Sequence, residues 1–298
     1  MRVLFVRFLS RVLIAVLAAA AGSSSGAVTA VDDRGERVVL AVPAQRIVAL
    51  APSITELVFA AGAGDRLVAV ARYSDFPPQA GTIAQIGDAS RIDIERVISL
   101  KPDLVIAWKT GNHAGDYERL KRLGFAVFIA EPDRLQAIGR LVRTIGTLAG
   151  TGEAAGQTAE IFERAIESLA GQYRERPAVP VFYEIWHSPL MTVNGRHLIS
   201  DVIALCGGRN VFGGVPALTP VVSLESVIAA RPAVVLGGSS ATSPDEFAAA
   251  WQRDSRFEAL RKLRAIYVDP DLIQRQSPRV LDGARAVCAQ LERVRAGN

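Results

Sequence analysis

The 298-residue sequence contains two cysteines and three histidines, and aromatic residues make up 6% of it. Two cysteines cannot supply the thiolate set that holds an iron–sulfur cluster. His113, His187 and His197 are scattered, without the spacing of a closed zinc site, so direct capture of a bare metal ion is disfavoured. No G-x-S-x-G nucleophile elbow and no G-x-x-x-x-G-K-[ST] phosphate loop occurs. No catalytic constellation therefore stands out. The first apolar run falls short of the roughly 20 residues that a bilayer span requires. No basic stripe suits nucleic acid.

The opening segment is informative. "MRVLFVRFLSR" is a basic stretch, "VLIAVLAAAAG" is apolar, and small residues follow to Ala30. This pattern predicts a secretory signal peptide over residues 1–30, with cleavage near Ala30 or earlier, near Ala20. Removing Arg2, Arg7 and Arg11, in a stretch with no acid, takes the formal net charge from +4 to +1. No cysteine precedes Cys206, so the leader offers no site for a lipid anchor. In an exported chain, Cys206 and Cys288 are expected to form one disulfide, the alternative being two buried thiols. The disulfide would tie the helix "DVIALCGG" to the C-terminal helix "ARAVCAQLERV".

After a turn-rich arm, "DDRGERVVLAVPAQ", strand and helix signals alternate. "RIVALA" (46–51), "LVAVA" (67–71), "LVIAW" (104–108) and "AVFIAE" (126–131) read as strands. Between them lie "PSITELVFAAGAG", with Ser or Thr as a cap and Gly62 and Gly64 as stops, and "IERVISLK" (94–101). A helix follows over 134–150. Such alternation predicts a parallel sheet covered by helices. In residues 151–177, Phe162, Ile166, Leu169 and Tyr173 recur at helical spacing. That helix, capped near Thr151 and ended by Pro177, would run about 35 Å at about 1.5 Å per residue. The alternation then restarts with "AVPVFYEIW".

The second half echoes the first. "DIERVISLKPDLVIAW" from Asp93 returns as "SLESVIAARPAVVLGG" from Ser223, and "ITELVFAAGAG" returns in "HLISDVIALCGG". Seven residues separate Glu95 from Pro102 and Glu225 from Pro232. The fold class is α/β, with two similar lobes, 31–150 and 178–298, joined by one long backbone helix over 151–177. Asp93 and Ser223 suit helix N-caps. Glu95 and Glu225 then fall in the first turn, where the helix dipole favours an acid by about 0.3–1 kcal/mol. That accounts for stability alone. Two matching carboxylates also make a two-point surface for arginines of a partner.

Taken together, "RIVALAPSITELVFAAGAGDRLVAVARYSDFPPQA", "IDIERVISLKPDLVIAW", "LCGGRNVFGG", "VSLESVIAARPAVV" and "SPRVLDGARAVCAQL" carry a resemblance. Over residues 45–295 the sequence resembles the periplasmic substrate-binding proteins of ABC importers for iron complexes and cobalamin, above all the cobalamin-binding branch. The resemblance implies a class III binding protein of the helical-backbone metal-receptor type, with a ligand held between two lobes. It implies a monomer in the periplasm, no intrinsic cofactor, a small-molecule metal chelate as cargo, and a permease dimer in the inner membrane as partner. It implies that Glu95 and Glu225 engage arginines of that permease. It also places Cys206 and Cys288 where the cobalamin binders have their disulfide.

Ligands of open α/β sheets bind outside the carboxyl ends of the strands. The loops there contain Ser53, Tyr73, Trp108, Trp186, His187, Met191, Asp271 and Arg275. Tyr73 and Trp108 match positions where cobalamin binders present aromatics to the corrin, and Asp271 and Arg275 match polar lip residues. Rim packing and a loop salt bridge are the alternative roles. The pattern also departs from that branch, because positions matching its further aromatics are Ala89, Met191 and Thr219 here. Trp186 and His187 stand in exchange. A neutral imidazole is a common ligand for cobalt or iron, so His187 is a candidate axial ligand of a bound corrinoid or haem. A hydrogen-bonded loop histidine is its alternative. Ferric siderophore or haem are the alternative ligands, and a metal-chelate-processing enzyme is the alternative of another class.

Overall fold

From residue 46 onward, the alternating signals become two four-stranded parallel sheets in space. The computed structural model describes residues 26–238, 241, 243–252 and 263–297. Most of the expected leader lies outside them. An antiparallel hairpin of β1 (Val28–Val31) and β2 (Arg37–Leu40) opens the described chain. The first lobe continues with β3 (Ile47–Ala49), α1 (Pro52–Ala60), β4 (Leu67–Val70), the short pair β5 (Gly87–Asp88) and β6 (Arg91–Ile92), α2 (Ile94–Ser99), β7 (Leu104–Trp108), α3 (Ala114–Arg122) and β8 (Val127–Ala130). Two long helices follow, α4 (Leu135–Ala149) and α5 (Gly152–Tyr173). The second lobe runs β9 (Val179–Glu184), α6 (Leu198–Leu205), β10 (Gly208–Asn210), α7 (Leu224–Ala230), β11 (Val234–Gly237), α8 (Pro244–Gln252), β12 (Arg264–Tyr267), α9 (Pro270–Ile273) and α10 (Val280–Arg295).

The sheets have the same construction. Their strand orders are β4-β3-β7-β8 and β10-β9-β11-β12, with every pairing parallel. In both, the lobe's first strand lies second, its second strand is on one edge, and its third and fourth extend the other side. The echo in the sequence is therefore a structural repeat.

Side chains alternate across each strand, and the core follows that alternation. On one face of the first sheet, Val48, Val105 and Ile129 pack against Val97 of α2 and Leu120 of α3. On the corresponding face of the second, Phe182 and Val235 meet Phe247 and Trp251 of α8. The other faces share one continuous core. Ile47, Ile106 and Phe128 join Val181, Tyr183 and Leu236 in it, through Ile138 and Ile145 of α4 and Phe162 and Ile166 of α5. At about 1.5 Å per residue the 22 residues of α5 span about 33 Å. The α4–α5 turn is tight. Gly150 ends α4 in the left-handed region at φ +69°. A Cβ on Gly146 would stand 2.2 Å from Cβ of Ala155, so close packing of the two helices requires glycine there.

Several local expectations are corrected. Residues 28–31 are strand, so a cut after Ala30 would remove most of β1; the earlier position near Ala20 leaves it whole. Neither Ser53 nor Thr55 caps α1: its N-cap is Ala51, Pro52 fills the first turn, and Thr55 Oγ1 hydrogen-bonds Ser74 Oγ at 2.9 Å. Thr151 is the N-cap residue of α5 but makes no side-chain cap; its hydroxyl donates to Ala61 O at 2.6 Å. The helix also stops at Tyr173, short of Pro177.

The disulfide is present, joining Cys206 after α6 to Cys288 in α10 across 82 residues. The start of α6 is held differently. The His197 ring accepts the Ile199 N–H at Nδ1, 3.2 Å away, and burial lowers its pKa to about 4 from 6.5. A protonated ring could not accept that bond. Between about pH 6.5 and pH 4 the unfolded chain binds the proton and the folded one does not. Stability is therefore complete above pH 6.5 and falls as the pH drops through that window, by an amount on the order of 3 kcal/mol. Urea unfolding at pH 7 and pH 4.5 should show this loss. His197→Asn keeps an acceptor at the cap and should flatten the dependence.

Candidate functional site

With all strands of the two four-stranded sheets parallel, every strand-to-helix loop within either sheet lies at its carboxyl edge. Four of the large hydrophobic side chains that remain exposed lie on these loops: Tyr73 and Phe76 in the first lobe, Trp186 and Val221 in the second. Tyr73 is 65% exposed and adopts φ +67°. A bulky residue in that region carries about 1–3 kcal/mol of backbone strain, a feature that gathers at ligand clamps. The loop is fixed beneath it by the Ser74–Thr55 hydroxyl pair.

Trp108 is half-buried at the end of β7, with its ring where a Cβ on Gly111 would be, so only glycine fits under the indole. The Trp108 backbone N–H donates to Asn112 Oδ1 at 2.7 Å, and Asn112 Nδ2 donates to Leu50 O at 2.8 Å and Ala89 O at 2.7 Å. This one buried amide laces three rim segments together. Sequence reading missed it, and its only local signal is a polar residue behind a glycine at a strand end. Burial raises the Glu131 carboxyl pKa nearby, against hydrogen bonds from Thr110.

In the second lobe, Trp186 and Met191 form a β-bridge, and Met191 bridges on to Val221. Trp186 Nε1 donates to Ser188 O at 3.0 Å, which fixes an indole that is 51% exposed. His187 lies on the same loop, its Nδ1 3.1 Å from Oε2 of Glu184. Ser53 is buried in the first turn of α1.

Asp271 and Arg275 are engaged in ion pairing. Arg275 is an interlobe tie, with its side chain only 11% exposed, not a loop salt bridge in solvent. It pairs with Glu56 at 3.0 Å, Asp75 at 2.6 Å and Asp271 at 2.9 Å. Burial alone would lower the Arg275 pKa, but hydrogen bonds to Asp75 and Glu56 more than offset it and raise it. The same bond holds the Asp75 carboxyl low.

Glu56 is the centre of this tie. It lies in α1 of the first lobe and is 4% exposed. Arg279 Nη1 donates to it at 3.1 Å and Ser277 Oγ at 2.5 Å, while the Arg279 guanidinium stacks 4.2 Å from the Phe76 ring centroid. The start of α10 is thus gripped by the opposite lobe. A counterpart exists at the start of α4. Asp201 of α6 accepts the Leu135 N–H at 2.8 Å, with Arg134 3.7 Å away. In the repeats "ITELVFAAG" and "ISDVIALCG", Glu56 and Asp201 hold the same position. Arg134 and Arg279 are both N-cap residues. Each lobe therefore sends one acid to the first turn of the terminal helix associated with the other.

Glu95 and Glu225 are both exposed, in the first turns of α2 and α7. Asp93 accepts Arg96 N–H at 3.0 Å and Ser223 accepts Ser226 N–H at 3.2 Å, as N-caps should. The basic residue before each proline, Lys101 and Arg231, turns the chain through a positive φ of 46° or 49°. The two presentations are alike from cap to exit.

A family profile described as "Periplasmic binding protein" matches residues 47–272. The chain is 34% identical over 250 residues to the vitamin B12-binding protein of Vibrio cholerae, covering 84% of this chain and 90% of that one. It is 33% identical over 255 residues to the vitamin B12-binding protein of Yersinia pestis, covering 85% and 89%. The crystal structure of the periplasmic vitamin B12 binding protein of Vibrio cholerae superposes with a TM-score of 0.77 at 33% identity, covering 85% of this chain and 98% of that one. A periplasmic heme-binding protein from Roseiflexus sp. RS-1 superposes with a TM-score of 0.69 at 25% identity, covering 82% and 97%.

The interlobe tie generates a prediction. Removing one partner of a buried ion pair costs about 3–5 kcal/mol, because the remaining charges stay buried. Glu56→Ala should lower the unfolding free energy by that amount in urea titrations. A loss below about 1 kcal/mol, the scale of a surface pair, would contradict the tie.

Proposed function

The chain belongs to the periplasmic binding protein family, and from that premise we propose that it captures cobalamin or a related corrinoid and delivers it to an ABC permease. The observation that carries this reading is the 34% identity, over 84% of the chain, to a vitamin B12-binding protein. The exposed aromatic rim supports it. Tyr73, Phe76 and Trp186 give flat apolar surface at the strand ends, and such surface suits a macrocycle. Trp108, Met191 and Ser53 border the same crevice, and Asp271 beside Arg275 forms its polar lip. Delivery takes place from the periplasm, after a cleavable leader has been removed.

Glu95 and Glu225 are the docking pair. Both carboxylates are exposed in the first turns of their helices, and their duplicated presentation suits two equivalent arginines of a dimeric permease. A heme reading has one observation in its favour, His187 together with the heme-binding relative.

Calorimetric titration with cyanocobalamin and with cobinamide tests the ligand class. Saturable one-to-one heat with either is expected. Silence with both, and binding of haemin instead, would move the cargo to haem. The docking role is tested separately. Glu95→Ala with Glu225→Ala should leave corrinoid binding unchanged and abolish uptake in reconstituted vesicles; normal uptake would remove the glutamates from the interface.

A further inference from the structure

Glu184 ends β9 with no exposed surface, and its Oε2 lies 3.1 Å from Nδ1 of His187. The imidazole itself is 42% exposed on its side chain, on the loop that leaves the carboxyl edge of the sheet. Its ring also meets the edge of Trp251, centroid to centroid 6.4 Å. A carboxylate is an acceptor, so Nδ1 is the donor nitrogen of this pair, and in the neutral ring the lone pair is then on Nε2. A carboxylate behind a histidine, fixing its tautomer and raising its basicity, is the arrangement that recurs behind metal-bound imidazoles. The bland alternative is a local ion pair that steadies the loop.

We infer that Glu184 and His187 form a specificity element for the cargo, in which His187 Nε2 takes an open axial position on the metal of the chelate and Glu184 acts as its positioning residue. The inference rests on the corrinoid reading above. Its consequence is selection by axial chemistry. A corrinoid with exchangeable axial water gains a metal–nitrogen bond as a water leaves. Cyanocobalamin, whose two axial positions are filled by cyanide and by its own base, gains none. The aromatic rim serves both ligands alike, and His187 distinguishes them.

The test uses the mature protein with diaquocobinamide and cyanocobalamin, followed by calorimetry and visible absorbance together. Diaquocobinamide should bind with a shift of its visible band, and cyanocobalamin without one. His187→Ala should abolish the shift while heat of binding persists. Glu184→Gln should keep the shift but weaken diaquocobinamide binding about 10–100-fold, the usual effect of losing such a partner. Far-ultraviolet circular dichroism and thermal unfolding report that both variants are folded. His113→Ala serves as a control and should behave as wild type. Binding without any shift in the wild type, or a shift that survives His187→Ala, would overturn the metal contact and leave the corrinoid reading standing. No heat from either corrinoid would overturn both.

Discussion

A carboxylate taken out of water must be matched by cations and donors, or its burial is prohibitive. Glu56 meets that requirement only across the cleft. Its partners Arg275, Ser277 and Arg279 lie 219 to 223 residues away in the chain. Asp201 repeats the device with the backbone and side chain at the start of α4. Each lobe is thus held by the other through a helix start. The lobes cannot part far without stranding these charges, and the rest of the architecture is consistent with that restraint. One hydrophobic core runs through both lobes by way of α4 and α5, in place of two cores and a flexible strap. Gly146 against Ala155 brings the two long helices together closely enough for this.

Such a frame suits capture and delivery. Aromatic groups stand on loops whose bases are pinned, by Asn112 under Trp108 and by Thr55 under the Tyr73 loop. A ligand meets surfaces that are already ordered, so little of its binding energy is spent on ordering the rim. Outside the cleft, the frame fixes the separation of the two glutamate-bearing helix starts. A two-point contact gains from a fixed span, because the second contact forms without further search. Duplication explains why the glutamates match: one lobe design, used twice, presents the same helix start twice.

Much of this is visible in the sequence, for physical reasons. Parallel strands buried on both faces read as apolar runs, and the long helix declares itself by the spacing of Phe162, Ile166 and Leu169. The duplicated "ERVISLKP" and "ESVIAARP" carry caps, acids and exits that are local properties, and they fold as their residues dictate. The disulfide follows from compartment and cysteine count. What eludes the sequence is tertiary pairing. Nothing near Glu56 says that its cations come from the far end of the chain, and Arg275 reads equally well as a lip residue. Asn112 satisfies three backbone groups, two of which, Leu50 O and Ala89 O, lie 62 and 23 residues away in the chain. Ser53 and Thr55 are good capping residues by type, yet Pro52 starts α1 one residue earlier and Thr55 serves Ser74. His187 is readable as a candidate ligand, but the buried acid behind it is seen only once β9 places Glu184 there.

The central claim is that the lobes keep a fixed relation, set by a shared core and reciprocal charge ties, while ligand comes and goes. Spin labels on Glu95→Cys and Glu225→Cys, with the native disulfide intact, report that relation through the distance between them. Pulsed electron resonance with and without saturating corrinoid should give one distance distribution, unchanged by ligand. A second population that appears with ligand, at a clearly different distance, would contradict the fixed frame and show lobes that close on their cargo.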